Sequence, residues 1–190
     1  MKLPFWLALS VSSSLFALPA QVIIIRHGEK PATGNDLAPQ GFERADALAT
    51  FFQTAPFVLN FGLPKAIFAS KPAPVDPSMR EIETITPTAA ALGLPVHSPF
   101  PTPEVTDLAQ LILNESKYDG KMVLICWEHK VMDQLAFAFG VNPMPPPYPG
   151  SRFDLVYVIT YQNQATPQFC VFPQELMFGD QSTVPFDACP

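Results

Sequence analysis

Charge is scarce in this chain of 190 residues: only 15% of positions are charged, and 11 basic side chains face 17 acidic ones for a net charge of −6. A pI near 4.9 argues against the basic face that nucleic acid or an anionic membrane would demand. It does not argue against a local cationic pocket for a small charged ligand. Cysteine is nearly as rare, at three residues, and none of the three has the Cys/His spacing of a zinc site. Internal repeats are lacking. So is any stretch beyond the amino terminus long and apolar enough to cross a bilayer, which takes ~20 residues. What the chain has in quantity is proline, 23 residues, and phenylalanine, 16. The prolines fall mostly between apolar runs, where they punctuate a fold instead of forming a disordered tract. The length suits one domain with a substantial core.

The first twenty residues read as a secretory signal: Lys2 is the positive end, Leu3 to Val11 the apolar region, and Ser12 to Ala20 a small-residue stretch with cuts available after Ala17 or Ala20. The competing reading is an uncleaved apolar helix, for which the run is short. Residues 21–190 then form the single domain of a periplasmic or secreted protein, with no stable membrane insertion after cleavage. Export makes a disulfide admissible. Cys126 lies inside the apolar run Met122 to Trp127 and reads as a buried small side chain, which leaves Cys170 and Cys189 to pair.

The chain in order alternates strands and helices. Val22-Ile23-Ile24-Ile25 is continuously apolar, as a strand covered on both faces must be, and it stops abruptly at Arg26-His27-Gly28. Gly41 to Phe52 has Phe42, Ala45, Leu48, Ala49 and Phe52 at helical spacing, with Glu43, Arg44 and Asp46 on the other side. Lys65 to Ser70 reads as a second strand. A short helix starts at Ser78 and carries Arg80; Pro87 interrupts it, and a second helical stretch runs from Thr88 to Leu92 before Gly93. Pro95 to Ser98 is a third short strand, and Glu104 opens the next helix. Lys121 to Trp127 repeats the design of the first strand and ends in Glu128-His129-Lys130. Val131 to Phe139 is a helix, and Phe153 to Tyr161 and Thr166 to Phe172 suggest an edge hairpin around Asn163-Gln164. This order predicts a doubly wound, mostly parallel α/β sheet flanked by helices, with the edge hairpin at its carboxyl-terminal end. Ligands of such sheets bind beyond the carboxyl ends of the strands, where His27 and His129 can meet.

Four elements now stand in sequence: Arg26-His27-Gly28-Glu29; Leu37-Ala38-Pro39-Gln40-Gly41-Phe42-Glu43-Arg44-Ala45; Arg80-x-x-x-Thr84 running on to Gly93-Leu94-Pro95; and Glu128-His129 at a strand end. In order and spacing they resemble the histidine phosphatase superfamily, the phosphoglycerate mutase-like proteins, with Ala38 standing where that family has threonine. The resemblance spans essentially the whole mature chain. It implies a phosphatase acting on a small phosphorylated substrate, a phosphomonoester or phosphohistidine, and the signal segment makes it an exported one. His27 would be the nucleophile, Arg26 and Arg80 guanidinium clamps on phosphate oxygens, and His129 the second imidazole on the phosphoryl group. It implies no metal and no cofactor, since these groups supply the positive charge. The ordinary alternative for Arg80 is a first-turn helix residue paired with Glu83 or Glu81.

The pattern departs from the family at the proton donor. Glu104 follows the third strand, where such an acid often stands, yet it also reads as a plain helix-starting carboxylate. Glu128 adjoins His129, but neighbours on a strand face opposite ways, so it reaches the phosphate only if the strand has already ended. Glu29 and Lys30 border the pocket as candidate rim residues, and His97 reads as structural or exposed. The want of a clear acid motivates a second reading: a catalytically weak phosphate-binding or interaction protein on the same fold. Substrate identity and oligomeric state are not written in the sequence.

Overall fold

The computed structural model describes residues 18–161 and 166–186. The leader residues before Leu18, the Asn163-Gln164 turn and Cys189 lie outside them.

β1 (Gln21–Arg26) sits inside a six-stranded sheet of order β3-β2-β4-β1-β5-β6. β4 (Met122–Trp127) runs parallel to it on one side, and β5 (Leu155–Thr160) antiparallel on the other. β2 (Ala66–Ala69) and the two-residue β3 (Val96–His97) extend the parallel half, and β6 (Gln168–Pro173) closes the far edge as the antiparallel partner of β5. The sheet is thus mostly parallel with a carboxyl-terminal edge hairpin.

The uninterrupted apolar run of β1 has a direct cause. Val22 and Ile24 pack into a core with Leu108, Ile112, Met132 and Leu135 from α4 (Val105–Asn114) and α5 (Met132–Ala138). Ile23 and Ile25 pack on the other face with Leu48, Phe52, Ile85 and Ala89 from α1 (Pro39–Thr54) and α3 (Arg80–Leu92). A short α2 (Pro56–Leu59) follows α1. All four β1 side chains are fully buried, each worth about 1.5–3 kcal/mol relative to exposure.

Two local expectations are corrected. α3 is one continuous helix through Pro87, not two stretches. Thr84 and Ile85 before the proline and Thr88 and Ala89 after it are all buried, so packing of both turns outweighs the hydrogen bond that proline cannot make. In α1 the buried stripe is Gly41, Arg44, Ala45, Leu48 and Phe52, while Phe42 is 46% exposed. The stripe starts at Gly41 because the helix presses its backbone against the loop after β1. A Cβ on Gly41 would stand 2.4 Å from the Glu29 carbonyl oxygen, and one on Gly28 would stand 2.8 Å from the Gly41 carbonyl oxygen. The room that Gly28 leaves is therefore filled by α1 and not by a ligand. Phe42, one residue on, is turned outward.

The fold reaches back to Leu18. The Ala20 amide donates to the Lys121 carbonyl at 2.9 Å, the Ala20 carbonyl accepts from Tyr161 at 3.1 Å, and Leu18 packs on the core. No helix among the described residues is long and apolar enough to cross a membrane.

Candidate active site

Parallel pairing places Arg26 opposite Trp127, so the residues that follow each strand emerge side by side at the carboxyl edge. β4 ends at Trp127 and Glu128 takes φ −73°, ψ 128° as the chain turns into a single 3-10 turn, His129–Val131. Freed from strand alternation, Glu128 and His129 both come to the site. Glu128 Oε2 lies 3.5 Å from His27 Nε2, and Glu128 Oε1 lies 2.6 Å from His129 Nδ1.

His27 is fully buried. Its Nδ1 is 2.6 Å from the Gly28 carbonyl oxygen. A carbonyl can only accept, so Nδ1 carries the proton it donates there; Nε2 then holds a lone pair in the neutral ring and donates toward Glu128 in the protonated one. The loop that holds this ring is fixed from α3: the Gly28 amide donates to Thr84 Oγ1 at 2.8 Å, and that hydroxyl donates to the Arg80 carbonyl at 2.6 Å.

Arg26 is 1% exposed. One Nη donates to the carbonyls of Gly150 and Arg152, at 2.8 and 2.5 Å, and the guanidinium lies 3.8 Å from the centre of the Phe153 ring. Burial pulls its pKa below the ordinary arginine value, partly offset by Tyr148 and Glu128. Tyr148 also lies edge-on to His129, with ring centres 6.3 Å apart, and a Cβ on Gly150 would come 3.7 Å from His129 Nε2. The proline-rich segment 143–150 thus forms a wall of the site.

Arg80 opens α3 beside this loop. Its guanidinium donates to the Gly34 carbonyl at 2.8 Å, and its Nε is buried without a partner. It pairs with neither acid of the ordinary alternative: Glu81 accepts from Ser78 and Glu83 accepts from the Leu37 amide. Glu104 stands at the start of α4, exposed, with its amide bonded to the Pro101 carbonyl. His97 is exposed on β3, its ring 5.4 Å from that of Phe68. Lys30 is exposed. Glu29 faces inward, to Arg44.

The electrostatics centre on Glu128. Burial pushes its carboxyl up, but the contacts with His129 and His27 outweigh burial and hold its pKa well below the usual carboxylate range. The alignment is poor for hydrogen bonding, so His27 Nε2, Glu128 Oε1 and His129 Nδ1 are all buried without a well-formed partner.

No family model matches this chain, and no curated protein matches it by sequence. Solved structures do. The protein histidine phosphatase SixA, determined with tungstate, superposes with a TM-score of 0.57 at 17% identity, covering 81% of this chain and 97% of its own. The chain has the histidine phosphatase fold. A phosphoserine phosphatase mutant from Entamoeba histolytica, crystallised with phosphoserine, shares it at TM-score 0.53 and 13% identity, over 78% of this chain and 94% of that one. So does a mycobacterial glucosyl-3-phosphoglycerate phosphatase, at TM-score 0.52 and 12% identity, over 81% and 97%.

Within this histidine phosphatase fold, one cluster beside the site escaped the sequence reading. Arg44, placed by periodicity on the polar side of α1, is 1% exposed. Its guanidinium holds Glu29 at 2.6 Å, Asp180 at 2.7 Å and Gln174 Oε1 at 2.8 Å. Burial opposes its charge, but these acids raise its pKa overall. A second buried arginine, Arg152, grips Asp154 with both Nε and Nη2 and reaches the Gln181 and Thr183 carbonyls. Together they tie the segment 174–183 to the elements beneath the site. The one available signal was Arg44 lying in line with Gly41, Ala45 and Leu48, a position that periodicity alone would fill with an apolar residue.

Proposed function

We propose that this protein is an exported, metal-independent phosphatase that hydrolyses a small phosphomonoester or phosphohistidine through a phosphohistidine intermediate on His27. The observation that carries the reading is the buried His27 with its Nδ1 committed to the Gly28 carbonyl, which leaves the Nε2 lone pair facing a cluster that contains the second imidazole.

In the first step Nε2 attacks phosphorus, the N–P bond forms, and the bond to the leaving oxygen breaks with its electron pair on oxygen. Arg26, Arg80 and His129 offer positive charge to the equatorial oxygens, which is where charge accumulates in phosphoryl transfer. Of the two candidate acids, only Glu128 reaches the attacking nitrogen, at 3.5 Å; held ionised by the imidazoles, it orients them, and the leaving oxygen, on the far side of phosphorus in an in-line displacement, takes its proton from water. Water then attacks phosphorus, the N–P bond breaks, and inorganic phosphate leaves. Export is supported by the Lys2–Ala20 segment; of its two cuts, the one after Ala17 preserves the packing of Leu18 and the one after Ala20 removes it.

The test is an acid- and base-quenched incubation with p-nitrophenyl phosphate and with phosphohistidine. Base-stable, acid-labile phosphate on His27 is the expected product, and His27→Ala should lower turnover at least ~10³-fold. Full activity in His27→Ala would refute the assignment.

A second reading, a weak phosphate-binding protein, is favoured by one feature: the Glu128 carboxylate stands against both imidazoles, where an incoming anion would have to displace it. Vanadate binding without turnover over a broad phosphoester panel would select that reading.

A further inference from the structure

The three side chains that face one another at the strand ends also form a coordination set. His27, Glu128 and His129 each offer one ligand atom, and these atoms lie within 4.8 Å of one another. Two imidazoles and a carboxylate make up a known zinc shell, with the fourth position left to water. Zinc at 2.0–2.1 Å from its ligands places those ligands ~3.3 Å apart; the 3.5 Å between His27 Nε2 and Glu128 Oε2 matches that, and the set of three, within 4.8 Å of one another, draws together by small side-chain rotations. The 2.6 Å approach of Glu128 to His129 opens slightly when both bond an ion instead of each other.

Two further observations point to a ligand here. His27 is fully buried and its Nε2 makes no well-formed hydrogen bond, while His129 Nδ1 and Glu128 Oε1 face each other at 2.6 Å in poor alignment. Buried polar atoms left in this way are costly. In addition, the Nδ1–H of His27 is held by the Gly28 carbonyl at 2.6 Å, the outer-shell arrangement that fixes the tautomer of a metal-ligating histidine. Arg26 puts a positive charge nearby, but its Nη1 is spent on the Gly150 and Arg152 carbonyls and its face on Phe153.

We infer that the site, when it holds no phosphoester, binds one zinc ion through His27 Nε2, Glu128 and His129. Imidazole nitrogens select against magnesium and calcium, which take oxygen ligands. Binding stands on the coordination geometry alone. Its consequence rests on the phosphatase reading: zinc and phosphorus require the same Nε2 lone pair, so the ion is a reversible inhibitor that competes with substrate and is not a cofactor.

The experiment is a titration of the purified, chelator-stripped protein with Co2+, followed by its visible absorption. An intense tetrahedral-type spectrum at one ion per chain, displaced by one equivalent of Zn2+, is expected. His27→Ala and His129→Ala should each weaken binding by more than ~100-fold, and His97→Ala should leave it unchanged. Orthovanadate should raise the apparent Co2+ dissociation constant. If either alanine variant fails to fold by circular dichroism, the glutamine variant at that position takes its place. No tetrahedral spectrum, or full affinity retained without His27 or His129, overturns the site. The readout is optical, so a protein that turns over no phosphoester but binds Co2+ in this way would fail the phosphatase reading and keep the metal site.

Discussion

Arg44→Met isolates the contribution of the buried cluster under the site. The change keeps the stem and removes the guanidinium, which leaves Glu29, with a side chain 15% exposed, and Asp180, at 6%, facing one another without their cation. Breaking a buried pair in this way costs about 3–5 kcal/mol, because an uncompensated charge stays behind. Partial access of water to Glu29 points to the lower end, ~3 kcal/mol. For a chain of this size, ~2–4 °C is lost per kcal/mol, so the melting temperature should fall by about 6–12 °C in a calorimetric scan at pH 7. The loss has a defined pH dependence. Burial raises the Asp180 carboxyl pKa, but Arg44 and the amides of Met177 and Leu176 lower it further, for a net depression. A depressed folded-state pKa stabilises above the unfolded value of ~3.9 and ceases to do so as pH falls through the folded value. The gap between wild type and Arg44→Met should therefore be wide at pH 7 and shrink below about pH 4. Neutralising all three groups, Glu29→Gln with Arg44→Met and Asp180→Asn, should recover much of the loss, as replaced buried ion networks do. A fall of under ~2 °C, or a triple variant no more stable than Arg44→Met, would refute the reasoning.

Further outcomes follow from the same geometry. Gly41→Ala places a Cβ 2.4 Å from one backbone atom of Glu29 and 2.9 Å from another; it should cost about 1–3 kcal/mol in denaturant unfolding and lower kcat beyond what the stability loss explains, since the displaced loop carries His27. Arg26→Lys keeps the charge but cannot bridge the Gly150 and Arg152 carbonyls while stacking on Phe153. Losing charge-assisted bonds worth ~1.5–3 kcal/mol should reduce kcat/KM by about 10–100-fold, measured with p-nitrophenyl phosphate.

The sheet was legible because burial on both faces leaves a strong mark: Val22–Ile25 and Met122–Trp127 are apolar at every position, and each stops at residues of the candidate site. The meeting of His27 with His129 followed from topology, since parallel neighbours end together. What the sequence concealed was contact made by polar side chains across long separations. Arg44 was misplaced because a charge on an amphipathic helix is ordinarily solvated, and its partner Asp180 lies 136 residues away. Glu128 depended on where β4 stops, a matter of one residue that no periodicity resolves. Pro87 was read as a break because the cost of a helical proline is local, whereas the packing that overrides it is tertiary.

The register of β1 against β4 sets the scale of the site. With Arg26 opposite Trp127, a slip of one residue would shift the two imidazoles by ~3.3 Å, more than the length of a hydrogen bond, and the backbone ladder on both sides of β1 forbids it. The gap between the two imidazoles is thus ruled by sheet spacing, a dimension nearly constant among proteins. The segments 99–103 and 143–150 are loops beyond the strand ends, outside that ruler. They can lengthen, shorten or change composition while the separation of the two imidazoles stays the same.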